Sequence, residues 1–211
     1  MSPRPRKVSD DEVFTATHRA MSRLGPGELT LAQIAGEAGL TAGALVQRFG
    51  SKRDLLLALS NRFAGGTQEM FAGIRRTHRS PLAALRAYGD CISGLASSPA
   101  TLARNLSYLQ IDLTDPDFRT QLVAQARASR AELQSLIEDA ITAKELVPGT
   151  QAKRLARTVE AILAGSMMSW AYYQEGTAAR WMRADLEAVL APYRRVEGKP
   201  RKSARLRAKR G

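Results

Sequence analysis

The sequence predicts an all-α fold with a small N-terminal unit of three helices and a larger C-terminal helical unit. Apolar residues recur with helical spacing along most of the 211 residues, and no segment shows the alternation of a half-buried strand. Ser, Thr and Asp residues that can cap a helix, with Gly and Pro residues that can end one, divide the chain into separate helices. A chain of this length can bury a substantial core, as one large domain or two smaller ones.

A basic arm and the first helix begin the chain. Two Arg and one Lys occupy residues 1–8. We expect this arm either to be a flexible, solvated end or to lie in a minor groove or along phosphates. Ser9, followed three residues later by Glu12, forms a capping box that predicts a helix start, and the Gly-Pro-Gly turn of residues 25–27 ends that helix.

Two short amphipathic helices joined by a Gly turn follow in residues 29–59. Thr30 and Gln33 form a second capping box at the start of the first of them. Gly39 directly follows the last apolar residue of that helix and can adopt the left-handed conformation that ends it. Thr41 can cap the next helix. This arrangement is typical of a helix-turn-helix that reads DNA, and the alternative is a plain helical hairpin.

The exposed face of the second short helix supplies candidate DNA contacts. Gln47 can pair with adenine, and Arg48 can pair with guanine or contact a phosphate. Ser51 caps a third helix, which begins at Lys52. A cation is not locally favoured at a helix N-terminus, so we expect Lys52 to bind a phosphate together with the free backbone N–H groups.

Residues 9–59 resemble the DNA-binding region of the tetracycline-repressor (TetR) family of bacterial transcriptional regulators. The resemblance implies a DNA-binding domain at residues 9–64, followed by a helical effector-binding and dimerisation domain at residues 65–195. The boundary lies near Gly65-Gly66, where the third helix could weaken or kink. The residues that carry the resemblance at the spacing of that family include Thr30, Ile34, Ala35, Ala38, Gly39, Leu40, Leu45, Phe49, Ser51, Lys52 and Leu55.

The resemblance also implies which residues meet DNA. The family usually has Tyr at the position of Val46, and that Tyr commonly touches a phosphate. Val46 cannot donate a hydrogen bond, so we expect phosphate anchoring to rest on Thr30, Lys52 and the basic arm. With the helix cap Thr41 included, the predicted DNA contacts are Thr30, Thr41, Ala42, Gly43, Ala44, Val46, Gln47, Arg48 and Lys52.

The last two helices are candidates for a subunit interface. One of them carries Ala161, Gly165 and Ser169 at every fourth position, so another helix can approach it closely. Two helices from each of two subunits would form an isologous four-helix interface. Periodicity alone also allows both helices to complete the monomer's core. The resemblance favours a homodimer, which would place two reading helices on paired half-sites.

The C-terminal unit is the predicted place for a small-molecule effector, whose identity the sequence does not indicate. Ligand sites are mostly apolar with a few polar groups. Aromatic, Met and other apolar residues of this unit could line such a site, although each also suits a core. The predicted pocket residues are Tyr88, Leu95, Tyr108, Ile111, Phe118, Met167, Trp170 and Tyr173.

The net charge of +12 indicates nucleic-acid or other anionic partners. Residues 196–211 hold seven Lys or Arg and one Glu, a net of +6 and half of the total. We expect this tail to be disordered, and either simply solvated or a source of salt-dependent, sequence-independent DNA affinity. The charge defines the main alternative function, a sequence-tolerant DNA-compacting protein driven by the arm and the tail.

The sequence offers no residue set for catalysis, a cofactor or a metal, so we predict a protein that is not an enzyme. His18 and His78 lack metal-ligand spacing, and the single Cys91 fits a reducing compartment. There is no Gly-rich phosphate loop and no nucleophile elbow. No apolar stretch suits a signal core or a membrane span. We therefore expect a cytoplasmic protein that associates with the nucleoid when it binds DNA.

The function predicted from these features is sequence-specific transcriptional regulation. A homodimer would bind a near-palindromic operator of double-stranded DNA and repress transcription by occluding a promoter. A small effector would bind the C-terminal unit, change the spacing of the two reading helices and release the DNA.

Overall fold

The computed structural model describes residues 8–195, and these residues form an all-helical fold, as predicted. The predicted tail and all of the predicted arm except Val8 lie outside the described residues. A single β-bridge joins Leu146 and Arg194, and two short 3₁₀ turns occupy Gly94–Ala96 and Ala191–Tyr193. The α-helices within residues 8–195 are α1 (Asp10–Met21), α2 (Leu31–Ala38), α3 (Ala42–Phe49), α4 (Lys52–Thr77), α5 (Pro81–Ser93), α6 (Pro99–Thr114), α7 (Pro116–Thr142), α8 (Ala152–Tyr173) and α9 (Ala178–Leu190).

Side-chain caps start the N-terminal helices where the sequence predicts. The Ser9 hydroxyl accepts a hydrogen bond from the backbone N–H of Glu12, and the Glu12 carboxylate accepts one from the Ser9 N–H at 2.8 Å. Thr30 and Gln33 make the same reciprocal pair at the start of α2, and Ser51 caps α4. These bonds satisfy backbone donors that have no partner within the helix, so they fix each starting residue.

Helix α4 crosses the predicted domain boundary without a break. It continues for 26 residues, through Gly65 and Gly66, where we predicted that it could weaken or kink. Gly costs a helix about 1 kcal/mol relative to Ala, which packing along both halves of a long helix can offset. The first half of α4 packs with α1, α2 and α3, and its second half packs with α5 and α7.

The core of the N-terminal unit also includes two residues of the C-terminal unit. Val13, Ile34 and Leu45 are completely buried and bring together α1, α2 and α3. Tyr108 from α6 and Phe118 from α7 belong to the same apolar cluster. The N-terminal and C-terminal units therefore share one apolar cluster.

A second and larger core holds the C-terminal helices together. Phe71 of α4 and Leu85 of α5 pack there with Leu133 of α7, Leu163 of α8 and Leu186 of α9, and all five are buried. None of the helices described is long and apolar enough to span a membrane.

Helices α4 and α7 run in the same direction and are joined near both ends by ion pairs. Arg53, in the first turn of α4, donates to Asp115 at 2.7 Å and to Asp117 at 2.8 Å, at the start of α7. Arg75, near the end of α4, donates to Glu132 at 3.0 Å and to Asp139 at 3.1 Å. The Arg53 guanidinium lowers the pKa of Asp115 below its ordinary value, mainly through their hydrogen bonds.

Helix α8 carries its large apolar residues and its small residues on different faces. Leu155, Val159 and Leu163 are buried in the larger core. Ala161 and Gly165 are exposed, and a Cβ added at Gly165 would meet no atom within 4 Å. Completion of the monomer's core and a subunit interface are therefore compatible, because each would use its own face of α8.

Candidate DNA interface and ligand cavity

The turn between α2 and α3 has the predicted left-handed conformation. Gly39 ends α2 with φ +67° and ψ +31°, a region that residues with a side chain rarely adopt. The N–H of Leu40 donates to the carbonyl of Ala35 at 2.9 Å. The Thr41 hydroxyl then accepts from the N–H of Ala44 at 3.1 Å and starts α3. The angle between the two short helices is thus set by backbone geometry and by a cap.

Helix α3 is held to the protein by one face and leaves the other open. Leu45 is completely buried in the N-terminal core. On the opposite side, Gly43, Val46, Gln47 and Arg48 are exposed, and we call these four residues the reading face. Among the predicted DNA contacts, the exposed ones are Thr30, Thr41, Gly43, Val46, Gln47 and Arg48, and the partly buried ones are Ala42, Ala44 and Lys52.

The Arg48 guanidinium is engaged with the start of α1. It forms an ion pair with Asp10 and donates to the carbonyl oxygen of Val8 at 2.7 Å. It also lies over the ring of Phe49, 5.5 Å from its centroid. Arg48 therefore ties the reading face to the residue at which the basic arm joins the folded protein, a contact that the sequence did not indicate.

The Lys52 ammonium binds two backbone carbonyl groups of the loop between α1 and α2. Its Nζ donates to the carbonyl of Pro26 at 3.1 Å and to the carbonyl of Leu29 at 2.7 Å. These carbonyl oxygens offset the unfavourable position of a cation at a helix N-terminus, the feature from which we predicted a phosphate contact. In the described structure Lys52 thus connects α4 to the α1–α2 loop.

Lys52→Ala should lower the free energy of unfolding by about 2 kcal/mol, because it removes charge-assisted hydrogen bonds to partly buried carbonyl groups. Urea denaturation of Lys52→Ala and of the exposed control Lys153→Ala would measure this difference. A direct phosphate contact predicts instead a salt dependence of DNA binding flatter by about one unit. Unchanged stability together with a flatter salt dependence would contradict the intramolecular role.

A capped helix-turn-helix with an exposed reading face is the arrangement of a DNA-binding regulator. The model of bacterial regulatory proteins of the tetR family matches residues 13–59, and the model of the tetracyclin repressor-like C-terminal domain matches residues 108–186. The chain belongs to the TetR family, and it is a DNA-binding transcriptional regulator. Comparison with curated proteins gives no significant match.

Solved structures of this family share the fold at low sequence identity. A TetR transcription regulator from Haloarcula marismortui has a TM-score of 0.72 at 18% identity, over 88% of this chain and 98% of that chain. SmeT, the repressor of the Stenotrophomonas maltophilia multidrug efflux pump SmeDEF, has a TM-score of 0.64 at 21% identity, over 90% and 93%. FadR from Bacillus subtilis, in complex with stearoyl-CoA, has a TM-score of 0.67 at 15% identity, over 87% and 98%.

A cavity of about 410 Å³ lies between α1, α4, α6 and α7, and we call it the first cavity. Its lining is mostly apolar, and the DNA-binding unit supplies His18 and Met21 of α1 and Ser22, which directly follows α1. The predicted pocket residues did not include these three, because the sequence predicts the pocket in the C-terminal unit alone. The predicted pocket residues that line the first cavity are Leu95, Tyr108, Ile111, Phe118 and Met167.

The other three predicted pocket residues do not line the first cavity. Tyr88 stacks on Phe71, with centroids 4.8 Å apart, and lines a second, more open cavity. Trp170 is buried in a small separate cluster, where its Nε1 donates to the carbonyl of Gly176 at 3.3 Å. Tyr173 is 67% exposed at the end of α8. An aromatic side chain suits a core, a pocket or a surface stack, so residue type alone could not separate these places.

The second cavity, of about 610 Å³, adjoins the first. His18, Leu59, Phe63 and Gln125 line both. The rings of His18 and Phe63 meet edge to face, with centroids 5.6 Å apart. A side-chain pair from α1 and α4 therefore lies where the two spaces meet.

Helix α6 connects the first cavity to the DNA-binding unit by hydrogen bonds. The Tyr108 hydroxyl donates to the carbonyl of Leu24 at 2.9 Å, and Arg104 donates to the carbonyl of Ser22 at 3.1 Å. Burial raises the pKa of Tyr108 to about 12, so its hydroxyl remains a donor at neutral pH. A displacement of α6 would therefore act directly on the residues that follow α1.

Asp112 also lines the first cavity, and no DNA, pocket or metal prediction included it. It lies four residues after Tyr108, so both are on the same face of α6. A charged residue one helical turn from a predicted pocket residue was the available signal. Among residues 8–195, no group of three His, Cys, Asp or Glu is arranged to hold a metal ion.

Proposed function

We propose that the protein is a homodimeric repressor that leaves a near-palindromic operator when a small molecule occupies the first cavity. The observation that carries this proposal is the shared wall of that cavity, to which both α1 and α6 contribute. Because α1 packs against α2 in the N-terminal core, a ligand that moves α1 relative to α6 would also move the reading helix α3.

The exposed small-residue face of α8 supports the dimer. Ala161, Ala164 and Gly165 are exposed along α8, and Ala184 and Ala188 are exposed on α9. Small side chains allow helices of two subunits to approach closely, and an isologous contact would pair this surface with itself. We propose residues 9–64 as the DNA-binding unit and residues 65–195 as the unit for dimerisation and effector binding, with α4 shared between them.

Release of DNA requires the effector to bind the DNA-incompetent arrangement more tightly. A ligand with equal affinity for both arrangements would shift neither population. Two relatives support a repressor that binds a small molecule, since SmeT is described as the repressor of a multidrug efflux pump and FadR is described in complex with stearoyl-CoA. We propose that the protein acts on chromosomal DNA in the cytoplasm and has no catalytic role.

Binding selection from a random duplex library tests this function. The full-length protein and a version ending at Val196 would be compared at near-physiological salt. Repression at a paired operator predicts a two-fold symmetric motif from both proteins, with half-sites about 34 Å apart. No enriched motif, with binding lost on removal of residues 197–211, would instead favour a sequence-tolerant DNA-compacting protein.

Arg48→Ala should weaken operator binding by about tenfold and remove base preference at one position of each half-site, because a paired guanidinium–base contact contributes about 1–3 kcal/mol. Operator binding and a repeated selection would measure both effects. Asp10→Ala is the matched variant, since it removes the ion-pair partner of Arg48 and leaves the guanidinium in place. If both variants lost affinity equally without a change in base preference, Arg48 would position the N-terminal segment rather than read a base.

A further inference from the structure

The first cavity contains one carboxylate without a partner. Asp112 is partly buried in its lining, and its side chain makes no hydrogen bond or ion pair with any residue of the described range 8–195. The lining includes no Lys, Arg or Glu. The space is therefore largely apolar with a single uncompensated negative group.

Other partly buried carboxylates of the protein have partners. Asp115 is paired with Arg53, Glu187 forms an ion pair with Arg86, and Asp185 accepts a hydrogen bond from Ser166 at 2.6 Å. Burying a charge without a partner is unfavourable, and burial accordingly raises the pKa of Asp112 above its ordinary value. A cation that entered the cavity would remove this penalty.

We propose that the first cavity binds an apolar amine, with Asp112 accepting hydrogen bonds from the ammonium group and the apolar lining receiving the hydrocarbon body. Leu56, Leu59 and Phe63 of α4 and Leu122 of α7 are among the apolar lining residues of this cavity. A volume of about 410 Å³ accommodates a small aromatic or branched aliphatic body. The assignment deepens the proposed function and rests on it, because it names the chemical class of the effector.

The position of Asp112 connects such a ligand to the DNA-binding unit. Asp112 lies one helical turn after Tyr108, whose hydroxyl binds the carbonyl of Leu24 after α1. An ammonium group at Asp112 and a hydrocarbon body against Met21 of α1 would therefore contact both sides of the junction between α6 and the DNA-binding unit.

Three probes with the same naphthalene body and different charge test the assignment. Calorimetry at pH 7.5 would compare 1-naphthylmethylamine, 1-naphthalenemethanol and 1-naphthaleneacetate on the full-length protein. We expect the amine to bind at least about tenfold more tightly than the alcohol, and the acetate to bind most weakly, because a charge-assisted hydrogen bond is stronger than a neutral one. Asp112→Asn should reduce the affinity for the amine to that for the alcohol.

Glu69→Gln is the control, because it removes an exposed carboxylate on α4 outside both cavities. It should leave the affinities for all three probes unchanged. Equal affinities for the amine and the alcohol, tighter binding of the acetate, or no saturable binding of the amine up to millimolar concentration would overturn the assignment. Undiminished binding of the amine by Asp112→Asn would also overturn it.

The same proteins and probes can test amine binding at Asp112 separately from release of DNA by an effector. A labelled operator duplex would be titrated with the amine for the parent protein and for Asp112→Asn. Amine binding that depends on Asp112 but leaves operator affinity unchanged would support the anchor and refute release by an effector in this cavity. Operator release by the acetate alone would support an effector-controlled repressor and refute the amine.

Discussion

Gly43→Glu should reduce operator affinity by about 100-fold or more, towards the level of non-specific binding, without unfolding the protein. Gly43 is exposed on the reading face, and a Cβ there would meet only the Thr41 hydroxyl oxygen, at 3.9 Å. Its backbone is helical, so a Glu side chain fits and even favours α3. The new carboxylate would occupy the space that the duplex needs and would repel its phosphates.

Fluorescence anisotropy with the selected operator would measure the loss of affinity, and thermal unfolding would show whether the variant remains folded. Gly65→Glu provides the matched change, since Gly65 is exposed on α4, lies outside both cavities and also has open space around an added Cβ. That variant should bind the operator almost as the parent does. Full operator affinity in a folded Gly43→Glu variant would show that α3 does not lie in the groove.

Gly165→Arg should convert the dimer to monomers and weaken operator binding by about 100-fold, because two linked half-site contacts gain at least this factor in avidity. Nothing lies within 4 Å of an added Cβ at Gly165 in one subunit, so the Arg side chain does not disturb the fold of the monomer. Within a close helix–helix contact between subunits, the same side chain would have no room and would carry an unpaired charge.

Sedimentation analysis of Gly165→Arg beside Gly65→Arg would test the interface. Both changes place an Arg on an exposed helical Gly, so they alter the net charge equally. Only the α8 variant should sediment as a monomer at micromolar concentration, and its affinity for a single half-site should equal that of the parent. An unchanged dimer would place the subunit contact on another surface.

The features that sequence predicted well follow local rules. The Ser9 and Thr30 capping boxes and the left-handed Gly39 depend on residues within a few positions of each other, and the structure confirms them. The role of Lys52 depends on carbonyl groups 23 and 26 residues away, which no periodicity reports. The sequence shows an unusual cation at a helix start, but it does not show that backbone carbonyl groups of the same chain bind this cation.

The ligand site shows the same limit at a larger scale. Met167 and Tyr173 both belong to α8, yet one lines the first cavity and the other is exposed. Which side of a helix lines a cavity depends on the helices that pack around it. Helix α1 lines the first cavity because the two units pack against each other, and no local sequence pattern indicates that contact. The sequence shows Asp112 one helical turn after Tyr108, but only the lining of the cavity shows that no Lys or Arg lies beside it.

The ion pairs near both ends of α4 and α7 could allow a ligand to bind tightly and yet not release DNA. Arg53 and Arg75 form ion pairs between α4 and α7 at points about 33 Å apart along α4, and the first cavity lies between these points. A molecule that fits the existing space leaves both sets of ion pairs intact. A bulkier one must bend the helices or break the more exposed ion pair, that of Arg53, which lies within the DNA-binding unit at the start of α4. The extent of DNA release would then depend on how far the volume of a ligand exceeds that of the cavity, whereas its affinity would depend on its charge and apolar area. Small ligands that bind tightly without releasing DNA should therefore act as competitive antagonists.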